Sequence, residues 1–243
     1  MPESILYFMS TIDLRYSRLT AIPEIGEEGI EKLRKGKVMI VGCGALGSVC
    51  AMYLAASGVG TLGIADFDTI DISNLQRQVF FSEKMLGQEK AGNIKSRIEA
   101  LNSDVEVKLY PFMVTRGKAS EIFKDYDFII DGSDNQSTKI MTATVCTELG
   151  VPYCIGGVEG FRGQAMSWKP GSIGYADIFG ENSTSCGMTP CSVKGVLGPC
   201  AGIIACVEAA EAIKYLSGAG DPLFDKLFTV DLLQPEARVW DFS

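Results

Sequence analysis

The sequence predicts an α/β protein: a doubly wound, mostly parallel sheet followed by a C-terminal antiparallel extension. Three observations predict it. Residues 37–68 read as strand, glycine turn, helix, strand and acidic turn, the first unit of such a sheet. Short apolar strands and helical stretches then alternate as far as residue 157. Beyond that point the pattern changes to a strand, a polar segment, one long helix and two closing strands.

The elements follow in order. Residues 1–36 make an N-terminal arm over a sheet edge, with RYSR at 15–18 and a helix over 27–35 ended by Gly36. KVMIV (37–41) is a buried strand. Gly42, Gly44 and Gly47 then stand in the spacing G-x-G-x-x-G, and 45–57 is helix-forming. TLGIA (61–65) is a second strand, closed by Asp66 and Asp68. Such glycines let the backbone turn sharply and approach a phosphate, the following helix N-terminus offers free N–H groups, and an acid after the second strand sits where ribose hydroxyls lie. This unit is Rossmann-like, and it speaks of a nucleotide without saying which.

Residues 73–81 read as a loop with a buried aromatic pair, Phe80 and Phe81. The spacing of Ile94, Ile98 and Leu101 predicts a helix over 88–101 with all three on one face, stopped by Asn102 and Ser103. VEVKLYP (105–111) alternates as a strand does, and 120–124 is a short helix. YDFIIDGSDN (126–135) is a buried strand ending in a second acidic turn. A helix over 136–149 stops at Gly150, and VPYCIGG (151–157) is a further strand. RGQAMSWKPG (162–171) reads as antiparallel. Residues 172–195 are polar, glycine-rich and without regular structure, and hold Cys186 and Cys191. A long helix over 196–217 precedes LFTVDLL and ARVWDFS, a hairpin around Gln234 and Pro235. The chain is expected to be one domain, 1–243: the arm (1–36), a nucleotide-binding core (37–157), and a crossover loop, long helix and hairpin (158–243).

Composition removes whole classes of function. The 243 residues carry a net charge of −8 and are 47% hydrophobic, enough for a substantial core. An acidic chain does not present the positive field that nucleic acid or an anionic membrane requires. There is no histidine, so His-based triads, general bases and metal ligands are excluded. No signal peptide is expected at the start of the chain, and 196–207, the longest uncharged apolar stretch near its C-terminal half, is broken by Gly198, Pro199 and Gly202 and too short to span a bilayer. The eight cysteines are then expected to be reduced thiols of a cytoplasmic enzyme, most of them small buried side chains.

The glycine motif alone would equally suit an NAD-dependent oxidoreductase. Four further stretches narrow the choice: RYSR (15–18), DFDTIDISNLQRQ (66–78), GQEKA (87–91) and DGSDN (131–135). In this order and spacing they resemble the ThiF/MoeB/HesA family, the adenylyltransferases of ubiquitin-like sulfur carrier proteins, related to the ubiquitin-activating enzymes. The resemblance runs over about residues 14–243, and its D-x-D-x-x-x-x-S-N-L-x-R-Q block is the most specific part.

That resemblance implies a homodimer or pseudo-dimer with ATP and Mg²⁺ at the C-terminal edge of the sheet. It also implies a partner, a small ubiquitin-fold sulfur carrier of thiamine or molybdopterin biosynthesis whose Gly-Gly carboxylate attacks the α-phosphate. Asp66 matches the acceptor for the ribose hydroxyls, with Asp68 assisting from the same loop. Arg77 and Lys90 match the cations on the triphosphate, while Asn74 and Gln78 pin the loop or touch phosphate. Ala45, within G-C-G-A-L-G, keeps space for the incoming carboxylate. Arg18 matches an arginine that reaches the phosphates from the other subunit, although Leu19 stands where the family often has glutamine. Asp134 matches the Mg²⁺ ligand, with Asp131 the fallback and one of the two expected to cap the helix that follows. Cys191 matches a cysteine that takes the activated carrier or sulfur onto a thiol in some members, with Cys186 its rival.

One departure stands out. Many members carry two Cys-x-x-Cys pairs that hold zinc, but here the corresponding positions are Ser172, Tyr175 and Ala176 and a C-terminus without cysteine. No zinc site is expected, and the closing hairpin is expected to pack Leu232, Val239, Trp240 and Phe242 instead. Besides the oxidoreductase, two alternatives remain at this stage. One is a non-catalytic nucleotide-binding partner of a heterodimer; the other is a branch that adenylates a tRNA-bound carboxylate, which the acidic balance disfavours.

Overall fold

Strand β1 (Lys37–Val41) buries four of its five residues and pairs on both sides, with β2 (Thr61–Ala65) and β4 (Phe128–Asp131). In the computed structural model, which describes residues 11–180 and 195–243 with side chains from Leu14 onward, these belong to an eight-stranded sheet ordered β3-β2-β1-β4-β5-β6-β7-β8. The others are β3 (Glu106–Tyr110), β5 (Tyr153–Glu159), β6 (Arg162–Trp168), β7 (Lys226–Asp231) and β8 (Glu236–Asp241). Strands β3, β2, β1, β4 and β5 are mutually parallel; β6, β7 and β8 are antiparallel additions. The sequence-level fold class is what the chain adopts.

Helices cover both faces. Alternate β1 residues point opposite ways. Val38 and Ile40 join one buried cluster with Leu54, Ile94, Ile98 and Ile204, whereas Met39 and Val41 join another with Phe123, Val145 and Tyr153. The first cluster is closed by α1 (Thr11–Thr20), α2 (Gly26–Lys35), α3 (Gly47–Ala56), α4 (Lys90–Leu101) and the long α8 (Gly198–Ser217). The second is closed by α5 (Arg116–Ile122), α6 (Gln136–Leu149) and α7 (Tyr175–Phe179). Burying each large aliphatic or aromatic side chain contributes about 1.5–3 kcal/mol, so both layers are firmly held.

The N-terminal arm is anchored rather than loose. Tyr16 is buried and its hydroxyl accepts from Asn102 Nδ2 at 2.8 Å, while Arg15 Nη1 donates to the Leu101 carbonyl at 2.8 Å.

Several details differ from the sequence reading. Leu101, at the last turn of α4, is 39% exposed and does not share the buried face of Ile94 and Ile98. Phe81 is buried, but Phe80 only partly. Helix α3 starts at Gly47 rather than 45, because 45 and 46 complete the glycine turn. Helix α7 lies within the stretch read as irregular. The β7–β8 hairpin forms, but it does not pack its apolar side chains inward: Val239, Trp240 and Phe242 are 56%, 47% and 43% exposed, and only Leu232 rests partly on the core. Every residue of the edge strand β8 stays exposed among the described residues, so alternation alone does not bury it. No helix among the described residues is long and apolar enough to cross a membrane.

Candidate active site

The strand order reverses between β1 and β4, the point where ligands bind in open α/β sheets. The loops after β1, β2, β3 and β4 meet there, with the end of β5, around one cleft. Gly42, Gly44, Ala45, Asp66, Asp68, Arg77, Gln78, Lys90 and Asp134 all line it.

The glycine turn forms the floor. Gly42 has φ +83°, a conformation L side chains rarely adopt. At Gly47 a Cβ would stand 1.9 Å from the Gly42 carbonyl oxygen, so only glycine lets the helix start this close. Gly47 therefore shapes the cleft without lining it.

Asp66 sits at the end of β2 and ties the turn to the next loop. Its Oδ2 accepts from the Cys43 N–H at 2.6 Å and its Oδ1 from the Asp68 N–H at 2.8 Å. Burial raises its carboxyl above the ordinary value, and those two N–H donors oppose the rise. A carboxylate has about four lone-pair sites, so acceptor capacity remains for a ligand. Asp68 pairs with the buried Lys90 ammonium at 3.0 Å, and the Lys90 N–H donates to the Asp68 carbonyl at 3.1 Å. Lys90 is thus held at the cleft wall from the first residue of α4.

The DISNLQRQ segment winds as a short 3₁₀ turn. Asp71 accepts from the Ser73 N–H, and Asn74 Oδ1 accepts back from the Asp71 N–H at 3.3 Å. Asn74 therefore pins the loop and does not line the cleft. Arg77 Nη1 donates to the Ser73 carbonyl at 3.0 Å, leaving its other donors uncommitted among the described residues. Gln78 is buried and its Oε1 has no hydrogen-bond partner.

After β4 the two aspartates separate. Asp131 is fully buried; its Oδ1 accepts from Ser133 N–H and Oγ–H at 3.0 and 2.5 Å, and it does not line the cleft. Asp134 is exposed at the cleft without a partner among the described residues. Neither caps α6: Asn135 does, accepting from the Thr138 N–H at 2.9 Å. This geometry does not favour the fallback metal role for Asp131, since the residue is fully enclosed and does not line the cleft.

Arg18 is exposed on α1 and is not among the residues lining its own chain's cleft. Cys191 and Cys186 lie outside the described residues. Burial pushes the thiols of Cys43, Cys50, Cys146 and Cys154 well above their ordinary value, so these are packing groups. Among the described residues no three or more of His, Cys, Asp and Glu gather as a metal site would.

Sequence reasoning missed Lys139, buried yet lining the cleft, and the apolar wall of Phe112, Met113 and Val114. The signal for Lys139 was a lysine in the first turn of a helix, where the dipole disfavours a cation.

The cleft suits a nucleoside triphosphate: a glycine floor, an acidic acceptor, fixed cations and one free carboxylate. The chain matches the model of the ThiF family over residues 16–242. The chain belongs to the ThiF family. A probable adenylyltransferase/sulfurtransferase MoeZ of Mycobacterium tuberculosis is 39% identical to it over 230 residues, 92% of this chain and 58% of that protein. The adenylyltransferase and sulfurtransferase MOCS3-1 of Zea mays is 37% identical over 226 residues, 93% of this chain and 48% of that protein. This chain therefore spans about half the length of those two relatives. A sulfur carrier protein adenylyltransferase of Thermus thermophilus is 36% identical over 230 residues, 92% of this chain and 85% of that protein. Among solved structures, E. coli MccB with ATP superposes with a TM-score of 0.81 at 24% identity, covering 94% of this chain and 71% of that one. At that identity the likeness concerns the fold of the ThiF-family chain alone.

Proposed function

We propose that this chain is an ATP- and Mg²⁺-dependent adenylyltransferase, acting on the C-terminal Gly-Gly carboxylate of a small ubiquitin-fold sulfur carrier. The observation that carries the reading is the convergence of Asp66, Arg77, Lys90 and Asp134, from four separate stretches, on one cleft. The names of the ThiF-family relatives, one a sulfur carrier protein adenylyltransferase and another an adenylyltransferase/sulfurtransferase, support the substrate class.

In this reading Asp66 accepts from the ribose hydroxyls and the glycine floor lies under the phosphates. The carrier carboxylate attacks the α-phosphorus; a mixed carboxylic–phosphoric anhydride bond forms, the bond from the α-phosphorus to the α–β bridging oxygen breaks, and pyrophosphate leaves with that electron pair. Negative charge grows on the α-phosphate oxygens and the leaving oxygen, and Arg77 and Lys90 stabilise it more in the transition state than before. Asp134 with phosphate oxygens and water would hold Mg²⁺, which supplies charge neutralisation when bound. Ala45 keeps the approach open. Gly157 and Val158 line both the cleft and a groove along β5–β8, a path by which a peptide tail could arrive. Arg18 is proposed to complete the site of a second subunit, Cys191 to serve as acceptor thiol, and the hairpin to do without zinc.

The test is carrier-dependent exchange of labelled pyrophosphate into ATP, run with one thiamine-type and one molybdopterin-type carrier. Exchange with either supports the reading and names the pathway. Absence of exchange with every Gly-Gly carrier of the source genome sinks it. Stoichiometric zinc in the purified protein would overturn the zinc-free part.

A further inference from the structure

Lys139 is the fourth residue of α6, in the first helical turn, where the helix dipole opposes a positive charge. It is also buried, at 4% exposure, and a buried ammonium is costly unless paired. Its Nζ donates to the Ser133 carbonyl at 2.6 Å and contacts Asp131 Oδ1 at 3.4 Å. Asp131 Oδ1 is the same atom that takes the Ser133 N–H and Oγ–H. One ammonium therefore grips the turn from beneath.

The rest of the turn is equally committed. Gly132 is wedged against the glycine loop, where a Cβ would lie 2.7 Å from the Gly47 nitrogen. Asn135 is spent on capping α6. Only the Asp134 side chain is left free, at the cleft.

Beside this grip lies Glu208 on α8, fully buried. Burial pushes its carboxyl up to about 8, so near neutrality it is mostly uncharged and Asp131 is the counter-charge of Lys139. Asp131 Oδ2 and Glu208 Oε1 both lack hydrogen-bond partners. Two unsatisfied buried oxygens beside one ammonium make a poor device for stability alone. Local rules broken in this way mark functional places.

We propose that Lys139 is a positioning residue of the nucleotide site: its buried ammonium clamps the β4–α6 turn in the geometry that leaves Asp134 free at the cleft for a divalent cation. The inference deepens the adenylyltransferase reading and rests on it.

The experiment is titration calorimetry of ATP with and without Mg²⁺ on the full chain, with thermal unfolding alongside. Lys139→Met alone would strand a buried carboxylate, so the decisive variant is Lys139→Met with Asp131→Asn; Lys139→Gln is the milder second variant. Mg²⁺ affinity in the presence of ATP should fall about 10- to 100-fold, the usual effect of removing a group that orients a metal ligand, while metal-free ATP affinity holds. Undiminished Mg²⁺ enhancement in a folded variant overturns the proposal. So does an equal loss of ATP affinity with and without metal, which would make Lys139 a direct phosphate ligand or a mere support. If the natural chain itself bound no Mg²⁺-ATP, the functional reading beneath would fall instead.

Discussion

Asp131 and Asp134 are three residues apart in DGSDN, and burial sets them apart. Asp131 is fully enclosed and pairs with Lys139; Asp134 is exposed and free among the described residues. Asp134→Ala should therefore abolish pyrophosphate exchange while changing stability by no more than about 0.5 kcal/mol, as exposed substitutions usually do. Asp131→Ala should cost about 3–5 kcal/mol, because it strands a buried ammonium. Denaturant unfolding beside the exchange assay separates the two, and inactive but destabilised Asp134→Ala would remove it from the site. The pair also shows what a sequence conveys at this scale. The motif marks both carboxylates as candidates, but which one faces the cleft depends on Asn135 taking the cap and Lys139 folding back, and neither is visible in one dimension. Glu208 gives a second test. Its folded value, about 8, lies above the ordinary 4.5, so its contribution to stability is fully present below 4.5 and is lost as pH rises through 8. Glu208→Gln, neutral throughout, should lose less stability than the natural chain between those limits. Parallel pH–stability curves would show that Glu208 is charged at neutral pH after all.

The strand–turn–helix of β1 and α3 was legible because each of its parts has its own signal: an apolar run, fixed glycine spacing and a small-residue helix. The glycines are not equivalent, however. A Cβ at Gly44 would meet only the flexible end of Gln78, at 3.3 Å, whereas one at Gly47 would strike the Gly42 carbonyl oxygen at 1.9 Å. Gly44→Ala should fold and keep much of its ATP affinity. Gly47→Ala must push α3 off the turn, with a cost of about 3 kcal/mol or more and loss of ATP binding by calorimetry. Equal tolerance of both would show that the start of α3 can slide. Elements whose burial depends on a distant partner were less legible. Leu101 has the right helical phase but lies in the last turn of α4, and β8 has the right alternation but stands at the sheet edge, and both stay partly exposed. Periodicity reports a face; it does not report whether anything covers that face.

At the scale of the molecule, the cleft gathers residues from the loops after β1, β2, β3 and β4, from the end of β5 and from the start of α4, yet Arg18 does not line it. The RYSR arm is nonetheless fixed: Tyr16 is buried, Arg15 is bonded to the end of α4, and Arg18 stands exposed on the same helix. An arginine held rigidly outside its own site suits a task in the site of a second copy. In a two-fold dimer each arm would then serve the other subunit. Arg18→Ala and Asp134→Ala homodimers should each be inactive in pyrophosphate exchange. Allowed to exchange subunits, they form heterodimers in which one site lacks both residues and the other has both. Random pairing makes about half the dimers mixed, with one of two sites intact, so exchange should recover to roughly a quarter of the natural level. Native mass spectrometry reports whether mixed dimers have formed. Recovery in step with their appearance places Arg18 across the interface. Mixed dimers that form and stay inactive would mean that Arg18 acts on its own chain or on neither site, and the free arginine of the arm would need another explanation.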